Sequence, residues 1–529
     1  MTEEIKQFIE NHVDKTKKLS KRLRASYWNA QVTGEDKYYK ETEKLSKQLQ
    51  EIYNNKKDFE IVKGFNETKI KDVFLKRQVK LLYDDFLSCQ GDLKLLHELT
   101  ERENKIEQKF NKFRAKVGNK EMTDNEIKEL LKKETDSKKL QGAWEASKRQ
   151  AEIVVEELIV IIKLRNKLAK SLGFSDYYEM ALEMQEQSKK DIIKLFNELD
   201  NLTREPFSKL KNEMDVYLAK RYKINKKDLK PWHYQELFFQ QGPQIYDVDL
   251  DKYFSGDVVK TAKKFYHDIG LEVEDILERS SLYEQKGKCQ HAFCIDMDKE
   301  GDVRILQNVK NNDYWMGTTL HELGHAVYSK NLDKNLPYIL RDEAHTFVTE
   351  AIAMLFGRFA DNVNFIKKYT NNDLSNLSDV LYKKMVLGQL VFSRWVQVMV
   401  NFERQLYENP DQDLNKLWWD LTKKYQLINF SRDKPDWAAK IHLVGAPVYY
   451  HNYMLGEMLA SQIHGYIVKN ILKQISLKNF DYSGNKEIGK FLKKNLFSLG
   501  CVYKWDECIE HALEEPLTSK YFAEQFVGN

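Results

Sequence analysis

The sequence predicts a mainly α-helical protein with one small antiparallel sheet. Only 8 of its 529 residues are prolines, and the first of these is Pro206. A long run without proline, dense in Lys, Glu, Leu and Gln, is typical of successive amphipathic helices, because proline is poorly tolerated inside a helix. One such helix is expected over residues 140–171, where apolar residues recur every three or four positions and Gly173 follows as a stop signal.

One segment breaks the helical pattern and predicts the sheet. Residues 291–297 and 303–309 are short, largely apolar runs on either side of the charged segment 298–302, which contains Gly301. Two such runs around a glycine-containing turn predict a β-hairpin. The hairpin precedes the motif that carries the chemistry.

The composition excludes several function classes. Hydrophobic residues make up 42% of the chain, enough for a substantial core, and the charged residues nearly cancel to a formal net charge of +4. Nucleic-acid binding is not expected, since it requires a concentrated basic face. A membrane span is not expected either, because charged side chains interrupt the most apolar helical stretch, residues 153–168. Five cysteines without a CxxC pair, and an N-terminus without an apolar signal segment, predict reduced thiols in a cytoplasmic protein.

Residues 321–325 read His-Glu-Leu-Gly-His and predict a metal site. On a helix, His321 and His325 lie on one face, so both imidazoles can bind one ion. Glu322 lies beside the first ligand, where it can take a proton from metal-bound water. The alternative is a helix with two partly exposed histidines. The apolar neighbours Leu320 and Leu323 favour a buried helix, in which two histidines without a metal would be energetically unfavourable.

A catalytic zinc site needs a third protein ligand. Residues 344–355 predict a second, mostly apolar helix that contains Glu350. An unpaired carboxylate is least tolerated among apolar neighbours, so Glu350 is the predicted third ligand. Asp342, Glu343 and His345 are alternatives closer to the motif, in the connection or at the start of the helix. Two imidazoles and one carboxylate suit zinc, and we predict one Zn²⁺ per chain.

A second polar cluster follows further along the chain. Hydrolysis of a peptide bond produces an oxyanion that needs an additional electrophile. Histidines and tyrosines are dense over residues 442–453, around one glycine and one proline. Alone, this pattern is typical of an aromatic core. In a chain that also carries the zinc motif, it predicts hydrogen-bond donors of an active site.

Further motifs on both sides of the zinc motif carry a family resemblance. They lie in residues 140–146, 176–178, 231–234, 291–292, 336–341, 418–426 and 439–442. Together with residues 321–325 and Glu350, they resemble the angiotensin-converting enzyme family, which are peptidyl-dipeptidases of the gluzincin type. The chain is more distantly similar to the thimet-oligopeptidase group.

The resemblance implies a fold and a domain organisation. The implied fold is a two-lobed helical gluzincin fold with a deep central cleft, a helical lid and a small antiparallel sheet near the zinc site. A single metallopeptidase domain over residues 1–529 is expected, with a helical region including the lid over about 1–205 and the zinc-binding and substrate-binding region over about 206–529. A lid excludes folded proteins, so short peptides are the expected substrates. The sequence leaves the oligomeric state open.

The resemblance also implies roles for individual residues. It makes Glu350 the third zinc ligand, in agreement with the argument from its apolar neighbours. The other implied roles are binding of substrate carbonyls by His291 and His442, oxyanion stabilisation by Tyr453, binding of the C-terminal carboxylate by Lys440 and Tyr450, and strand-like binding of the peptide backbone at Ala292.

Two departures from the family pattern affect these expectations. The glutamine that helps bind the C-terminal carboxylate aligns with Tyr234, although Gln235 is adjacent. The acid that orients the first zinc histidine aligns with Met354, so another partner is expected for that imidazole.

The sequence therefore predicts a zinc metallopeptidase that releases C-terminal dipeptides from short peptides, with Glu322 activating zinc-bound water. An endo-acting oligopeptidase of the thimet type is the alternative if Tyr234 blocks carboxylate binding. A non-catalytic peptide-binding protein is a further alternative, disfavoured because the three ligands and the base are all present.

Overall fold

The computed structural model describes residues 2–246, 248–478 and 480–528. These residues form mostly helices, so the predicted mainly α fold is confirmed, with two small antiparallel sheets where the sequence predicted one. The α-helices are α1 (Thr2–Thr33), α2 (Asp36–Tyr53), α3 (Lys56–Asn66), α4 (Val73–Ser88), α5 (Leu93–Lys112), α6 (Asp124–Lys133), α7 (Ser137–Ser171), α8 (Tyr177–Glu183), α9 (Lys189–Tyr222), α10 (Val258–Asp268), α11 (Glu274–Arg279), α12 (Asp313–Lys330), α13 (Thr346–Gly357), α14 (Val363–Thr370), α15 (Ser378–Glu408), α16 (Leu414–Gln426), α17 (His442–Gly445), α18 (Tyr450–Tyr466), α19 (Lys486–Asn495), α20 (Trp505–Leu513) and α21 (Lys520–Phe526).

Short 3₁₀ turns and four strands complete the secondary structure of the described residues. The strands are β1 (Ala115–Val117), β2 (Lys120–Met122), β3 (Phe293–Asp296) and β4 (Val303–Leu306). The 3₁₀ turns are Lys226–Asp228, Pro231–Tyr234, Asp251–Phe254, Tyr338–Leu340, Arg358–Asp361, Ser375–Leu377, Asp436–Ala439 and Phe497–Leu499, and a π-helical turn spans Ile467–Ile471.

Two compact units make up the chain. Unit 1 comprises Met1–Gln90, Asp249–Ser378 and Leu455–Tyr521. Unit 2 comprises Gly91–Val248, Asp379–Met454 and Phe522–Asn529. Each unit draws on both of the regions predicted from the sequence, about 1–205 and about 206–529. The single catalytic domain, the two lobes, the cleft and the lid stay predictions.

Helix α7 shows why the long proline-free region is helical. Asp136 caps its N-terminus, because the carboxylate accepts hydrogen bonds from the backbone N–H groups of Lys138 and Lys139 at 2.9 and 3.1 Å. The helix ends at Ser171, and Gly173 follows with a φ of +95°, a left-handed conformation that glycine adopts without steric cost. The predicted helix over residues 140–171 is therefore confirmed, with three more residues at its start.

The predicted hairpin is strands β3 and β4 of unit 1. They pair antiparallel with Phe293 opposite Leu306 and Asp296 opposite Val303. In the turn, Asp296 accepts hydrogen bonds from two following backbone N–H groups, and Lys299 and Gly301 have φ values of +57° and +105°. Both strands pack against α12, the helix that carries residues 321–325.

Two further expectations, on membrane spans and on the state of the cysteines, can be compared with the described residues. None of the helices among them combines the length and the apolar character needed to span a bilayer. The five cysteines are free thiols, as their number and spacing predict. The cytoplasmic location stays a prediction.

Candidate metal centre

Three side chains of unit 1 bring their ligand atoms together as the sequence predicts. His321 and His325 lie on α12, and Glu350 lies on α13. The Nε2 atoms of the two histidines are 3.7 and 3.9 Å from Oε2 of Glu350. One ligand atom from each residue lies within 4.8 Å of the others, a spacing that one metal ion can bridge. We call these three residues the metal set.

Close packing of α12 against α13 produces this geometry. A Cβ atom added to Gly324 would lie 2.7 Å from the Cα of Ala353, closer than two carbon atoms can approach. Nearer the start of α12, a Cβ on Gly317 would be in ordinary van der Waals contact, 3.7 Å from the carbonyl oxygen of Gly357, so the closest approach is at Gly324. Glycine therefore allows the backbones of the two helices to come into contact, which carries Glu350 up to the histidines.

The alternative third ligands have other partners. Asp342 forms an ion pair with Lys299 at 2.6 Å, and Glu343 accepts a hydrogen bond from Ser329. The ring of His345 caps the N-terminus of α13 by accepting a hydrogen bond from the Phe347 N–H at 3.1 Å. Among the described residues, the metal set is the one group of three or more potential ligands that converges on a point.

Burial keeps the two histidines of the metal set in the state that binds a cation. It lowers the pKa of His321 to about 4 and that of His325 to about 3, so both imidazoles are neutral with a lone pair available. It raises the pKa of Glu350 to about 7, with the nearby Glu457 carboxylate as a smaller contribution in the same direction. Two neutral imidazoles and a carboxylate that gains from a neighbouring positive charge fit Zn²⁺.

Neighbouring side chains orient the ligands. Nδ1 of His325 lies 2.9 Å from Oγ1 of Thr349, the residue before Glu350 on α13. A hydrogen bond to the ring nitrogen that does not face the metal fixes the imidazole plane and its tautomer.

Glu322 lies in the same buried layer of α12 as the ligands. It is 7% exposed, and burial, with the Glu350 carboxylate as a smaller cause, raises its pKa to about 8. A glutamate with a pKa in this range is well suited to exchange protons near neutral pH.

A buried ion pair near the metal set was not predicted. Arg358, directly after α13, donates a hydrogen bond to the Glu457 carboxylate on α18, and a second one to Ser461 at 3.2 Å. The adjacent Gly456 packs on α13, since a Cβ there would lie 3.3 Å from the Cβ of Glu350 and 3.1 Å from Sδ of Met354. The acid that the family pattern has at the position of Met354 is absent, and the facing helix α18 carries an acid nearby, Glu457. No motif around Glu457 in the sequence marks this role.

His291 and Ala292 directly precede β3. His291 is exposed and Ala292 is half-buried. Within the described residues β3 pairs with β4 on one side only, so its other edge retains backbone groups that a peptide strand can pair with.

Lys440 and Tyr450 lie together in unit 2, and a residue missed by the sequence analysis joins them. Oε1 of Gln240 accepts hydrogen bonds from Lys440 Nζ at 2.7 Å and from Tyr450 Oη at 3.2 Å. Trp395 Nε1 donates to the same tyrosine oxygen at 2.8 Å. We call Lys440, Gln240 and Tyr450 the Lys440 set.

The assignment of the family's glutamine position to Tyr234 is therefore corrected. The Tyr234 hydroxyl is buried elsewhere in unit 2, where it accepts a hydrogen bond from Lys211 at 2.7 Å and donates one to Asp215 at 2.9 Å. Gln240 occupies the position beside Lys440. The signal in the sequence was the pair Gln240-Gln241, six residues beyond Tyr234.

His442 and Tyr453 also lie in unit 2, close to Tyr450. The ring centroids of His442 and Tyr450 are 5.0 Å apart, and those of Tyr450 and Tyr453 are 5.4 Å apart. Arg165 anchors the segment after His442 by donating to the carbonyl oxygens of Leu443 and Val444, both at 2.7 Å. The structure thus places four of the predicted residues in unit 2 and the other six in unit 1.

Comparison with known proteins agrees with these motifs. The family model described as angiotensin-converting enzyme matches residues 1–234 and 240–523. The angiotensin-converting enzyme of Mus musculus is 25% identical over 287 residues, which cover 50% of this chain and 21% of that protein. That of Bos taurus is 24% identical over 426 residues, covering 73% of this chain and 32% of that protein.

A bacterial protein is similar to this chain at a comparable sequence identity. Carboxypeptidase 1 of Bacillus subtilis (strain 168) is 22% identical over 308 residues, which cover 47% of this chain and 60% of that protein. The chain spans about a fifth to a third of the length of the two angiotensin-converting enzymes named above. Because the family match extends over most of both units, the chain belongs to the angiotensin-converting enzyme family of peptidases.

Proposed function

We propose that this protein hydrolyses peptide bonds in short peptides and that it needs one zinc ion per chain to do so. The observation that carries the proposal is the convergence of His321, His325 and Glu350 beside the buried carboxyl of Glu322. Membership of a peptidase family supports it independently.

The residues of α12 and α13 have distinct tasks in this reaction. His321, His325 and Glu350 would hold the zinc ion. When bound, zinc supplies a Lewis acid that polarises the scissile carbonyl and lowers the pKa of water. Glu322 accepts a proton from the attacking water and delivers it to the amine that leaves. Burial of this carboxyl keeps bulk water away from the proton that it carries.

Substrate-binding roles follow from the family resemblance. We propose that the peptide backbone pairs with the free edge of β3 at Ala292, with His291 and His442 as donors to substrate carbonyls. Tyr453 is the proposed donor to the oxyanion.

Release of dipeptides from the C-terminus is the proposed cleavage pattern. Lys440 and Tyr450 present two donors at one point, which suits a terminal carboxylate. A glutamine, Gln240, is present at that point, although its carbonyl oxygen rather than its NH₂ group faces the two donors. The name of the bacillary relative, a carboxypeptidase, also supports action at the C-terminus.

The decisive test is Glu322→Gln, which keeps the size of the side chain and removes the base. The rate of peptide hydrolysis should fall at least about a hundredfold, the usual contribution of a general base. Glu278→Gln is the matched control, since Glu278 is exposed on α11 of the same unit. Hydrolysis at the parental rate in the Glu322 variant would refute the mechanism.

Mass spectrometry of digests separates the proposed pattern from its alternatives. Successive losses of two C-terminal residues support dipeptide release, whereas cuts at other bonds support an endo-acting oligopeptidase. A non-catalytic peptide-binding protein would bind the same peptides and leave them intact with zinc present.

A further inference from the structure

The segment that precedes Gln240 departs from the family. The family match stops at residue 234 and resumes at residue 240, so residues 235–239 belong to this chain rather than to the common pattern. Both ends of the segment are strained, since Gln235 and Phe239 have φ values of +63° and +52°. Residues other than glycine are held in this backbone conformation only where surrounding contacts enforce it, often at functional sites.

Surrounding contacts do hold this segment in place. Trp144 Nε1 donates to the carbonyl oxygen of Leu237 at 3.0 Å. Gln426 Nε2 donates to the carbonyl oxygens of Phe238 and Phe239 at 3.0 and 2.8 Å. All of these groups lie in unit 2. The segment is therefore a fixed structural element and not a loose surface loop.

Glu236 lies at the centre of this segment and binds Gln240. One carboxylate oxygen accepts hydrogen bonds from the backbone N–H groups of Phe238 and Gln240 at 2.7 and 3.1 Å. The other accepts a hydrogen bond from Gln240 Nε2 at 2.9 Å. Glu236 is only 7% exposed, so these bonds compete little with water.

Chemistry alone fixes which way the Gln240 amide points. A carboxylate can only accept hydrogen bonds, so the NH₂ group must face Glu236. An ammonium group can only donate, so the carbonyl oxygen must face Lys440. The amide plane is thus held from both ends, and the Lys440 set presents one acceptor, Gln240 Oε1, together with two donors.

A site with one acceptor and two donors favours a C-terminal carboxylate over a C-terminal amide less than a site made of donors alone. Both oxygens of a carboxylate are acceptors, and one of them would face Gln240 Oε1 without a hydrogen between them. A primary amide has no such conflict, because its oxygen accepts from Lys440 and Tyr450 while its NH₂ group donates to Gln240 Oε1. The electrostatic advantage of the carboxylate over the amide is therefore offset.

We propose that Glu236 is a specificity-determining residue that, by turning the Gln240 carbonyl toward Lys440 and Tyr450, lets this subsite take a C-terminal amide nearly as well as a C-terminal carboxylate. The proposal rests on the proposed function, since it assigns the Lys440 set to the C-terminus of a peptide. It identifies peptides with an amidated C-terminus as substrates alongside those with a free one.

A matched pair of ligands tests the proposal. The dissociation constants of one dipeptide in its free-acid and amide forms are measured by calorimetry on the zinc-loaded protein and on its Glu236→Gln variant. In the parent, the two dissociation constants should agree within about tenfold. The corresponding difference in binding free energy is no larger than that of one charge-assisted hydrogen bond. In the variant, the neutral amide at position 236 can donate to Gln240 Oε1, so Gln240 is free to turn its NH₂ group toward the ligand. The ratio should then shift at least tenfold toward the free acid.

The outcomes are distinguishable from failure of the proposed function. A more than hundredfold preference of the parent for the acid overturns the proposal without reference to any variant, as does failure of both dipeptides to bind. The proposal is also overturned if the Glu236→Gln variant keeps the parental ratio of the two dissociation constants while its circular dichroism spectrum shows that it is folded like the parent. Glu183→Gln, an exposed change on α8, should leave the ratio unaltered. Because binding is measured, loss of peptide hydrolysis would count against the proposed function alone.

Discussion

The metal set in unit 1 and the Lys440 set in unit 2 are built on different principles. The metal set consists of acceptors on two helices whose backbones touch at Gly324 and Ala353. The Lys440 set combines donors and an acceptor from three separate parts of the chain, linked by hydrogen bonds from side chain to side chain.

The difference concerns what holds each geometry. Backbone contact between two helices leaves the metal set little freedom, so its chemistry depends on the identity of each ligand. In the Lys440 set the orientation of the Gln240 amide depends on side-chain hydrogen bonds, so a single substitution such as Glu236→Gln is expected to change which groups face a ligand. In the proposed function, the first set is assigned to the reaction itself and the second to recognition of the peptide end.

The strongest test of the first set is loss of a ligand. Glu350→Gln should lower zinc affinity by more than about a hundredfold, the upper end of losses seen when a side chain that merely orients a ligand is removed. Hydrolysis should fall with metal content. Competition against a chromogenic chelator measures the affinity, and a variant that retained parental affinity would exclude Glu350 as a ligand.

The corresponding change in the second set should act on one class of substrate. Lys440→Met removes the charge, and the Michaelis constant for a free-acid peptide should rise about thirtyfold, from roughly 2 kcal/mol for a buried charged partner. The amidated peptide should be affected less. Lys138→Met, an exposed lysine on α7, serves as control. Equal effects on both peptides would contradict the assignment.

The protonation of Lys440 gives the same comparison without a mutation. Burial lowers its pKa to about 8, and the neighbouring Glu236 opposes this shift. A lysine is charged below its pKa, so binding of a carboxylate should be intact at pH 7 and lost as the pH rises. At pH 9 only about a tenth of Lys440 remains charged, so the Michaelis constant of the free-acid peptide should be about tenfold higher than at pH 7. The ratio between the acid and the amide substrates separates this effect from other titrations.

The smallest expected effect concerns Glu457. Glu457→Gln weakens the buried pair with Arg358 and removes a negative charge near His321 and Glu350. Zinc affinity should fall by about five- to tenfold, at or below the lower end for residues that orient a ligand. Glu510→Gln on α20 is the control, and unchanged affinity in the Glu457 variant would limit this pair to a structural role.

The metal set could be predicted because its information is local. His321 and His325 are one helical turn apart, and Glu350 was identified by its apolar neighbours on the next helix. The hairpin was predicted from two short, largely apolar runs around the charged turn that contains Gly301. In each case the elements follow each other in sequence and pack directly.

The missed residues are those whose role depends on contacts between distant segments. Gln240 lies 200 residues before Lys440. The segment 235–239, between Tyr234 and Gln240, separates it from the position that alignment suggested. Glu457 lies 99 residues after Arg358. Neither pairing leaves a spacing in the sequence, because side chains that meet through tertiary packing have no fixed separation along the chain.

Gly324 has a consequence for anyone who redesigns this centre. The spacing of the two helices that carry the imidazoles and the Glu350 carboxylate is set by contact between their main chains at Gly324. Gly324 is the fourth residue of the segment 321–325, a position where the motif usually allows any residue. In this chain its contact with Ala353 leaves no room for a side chain. A single added carbon at that position would lie 2.7 Å from the Cα of Ala353, so it would push the two helices apart and lengthen the span that the three ligands have to bridge.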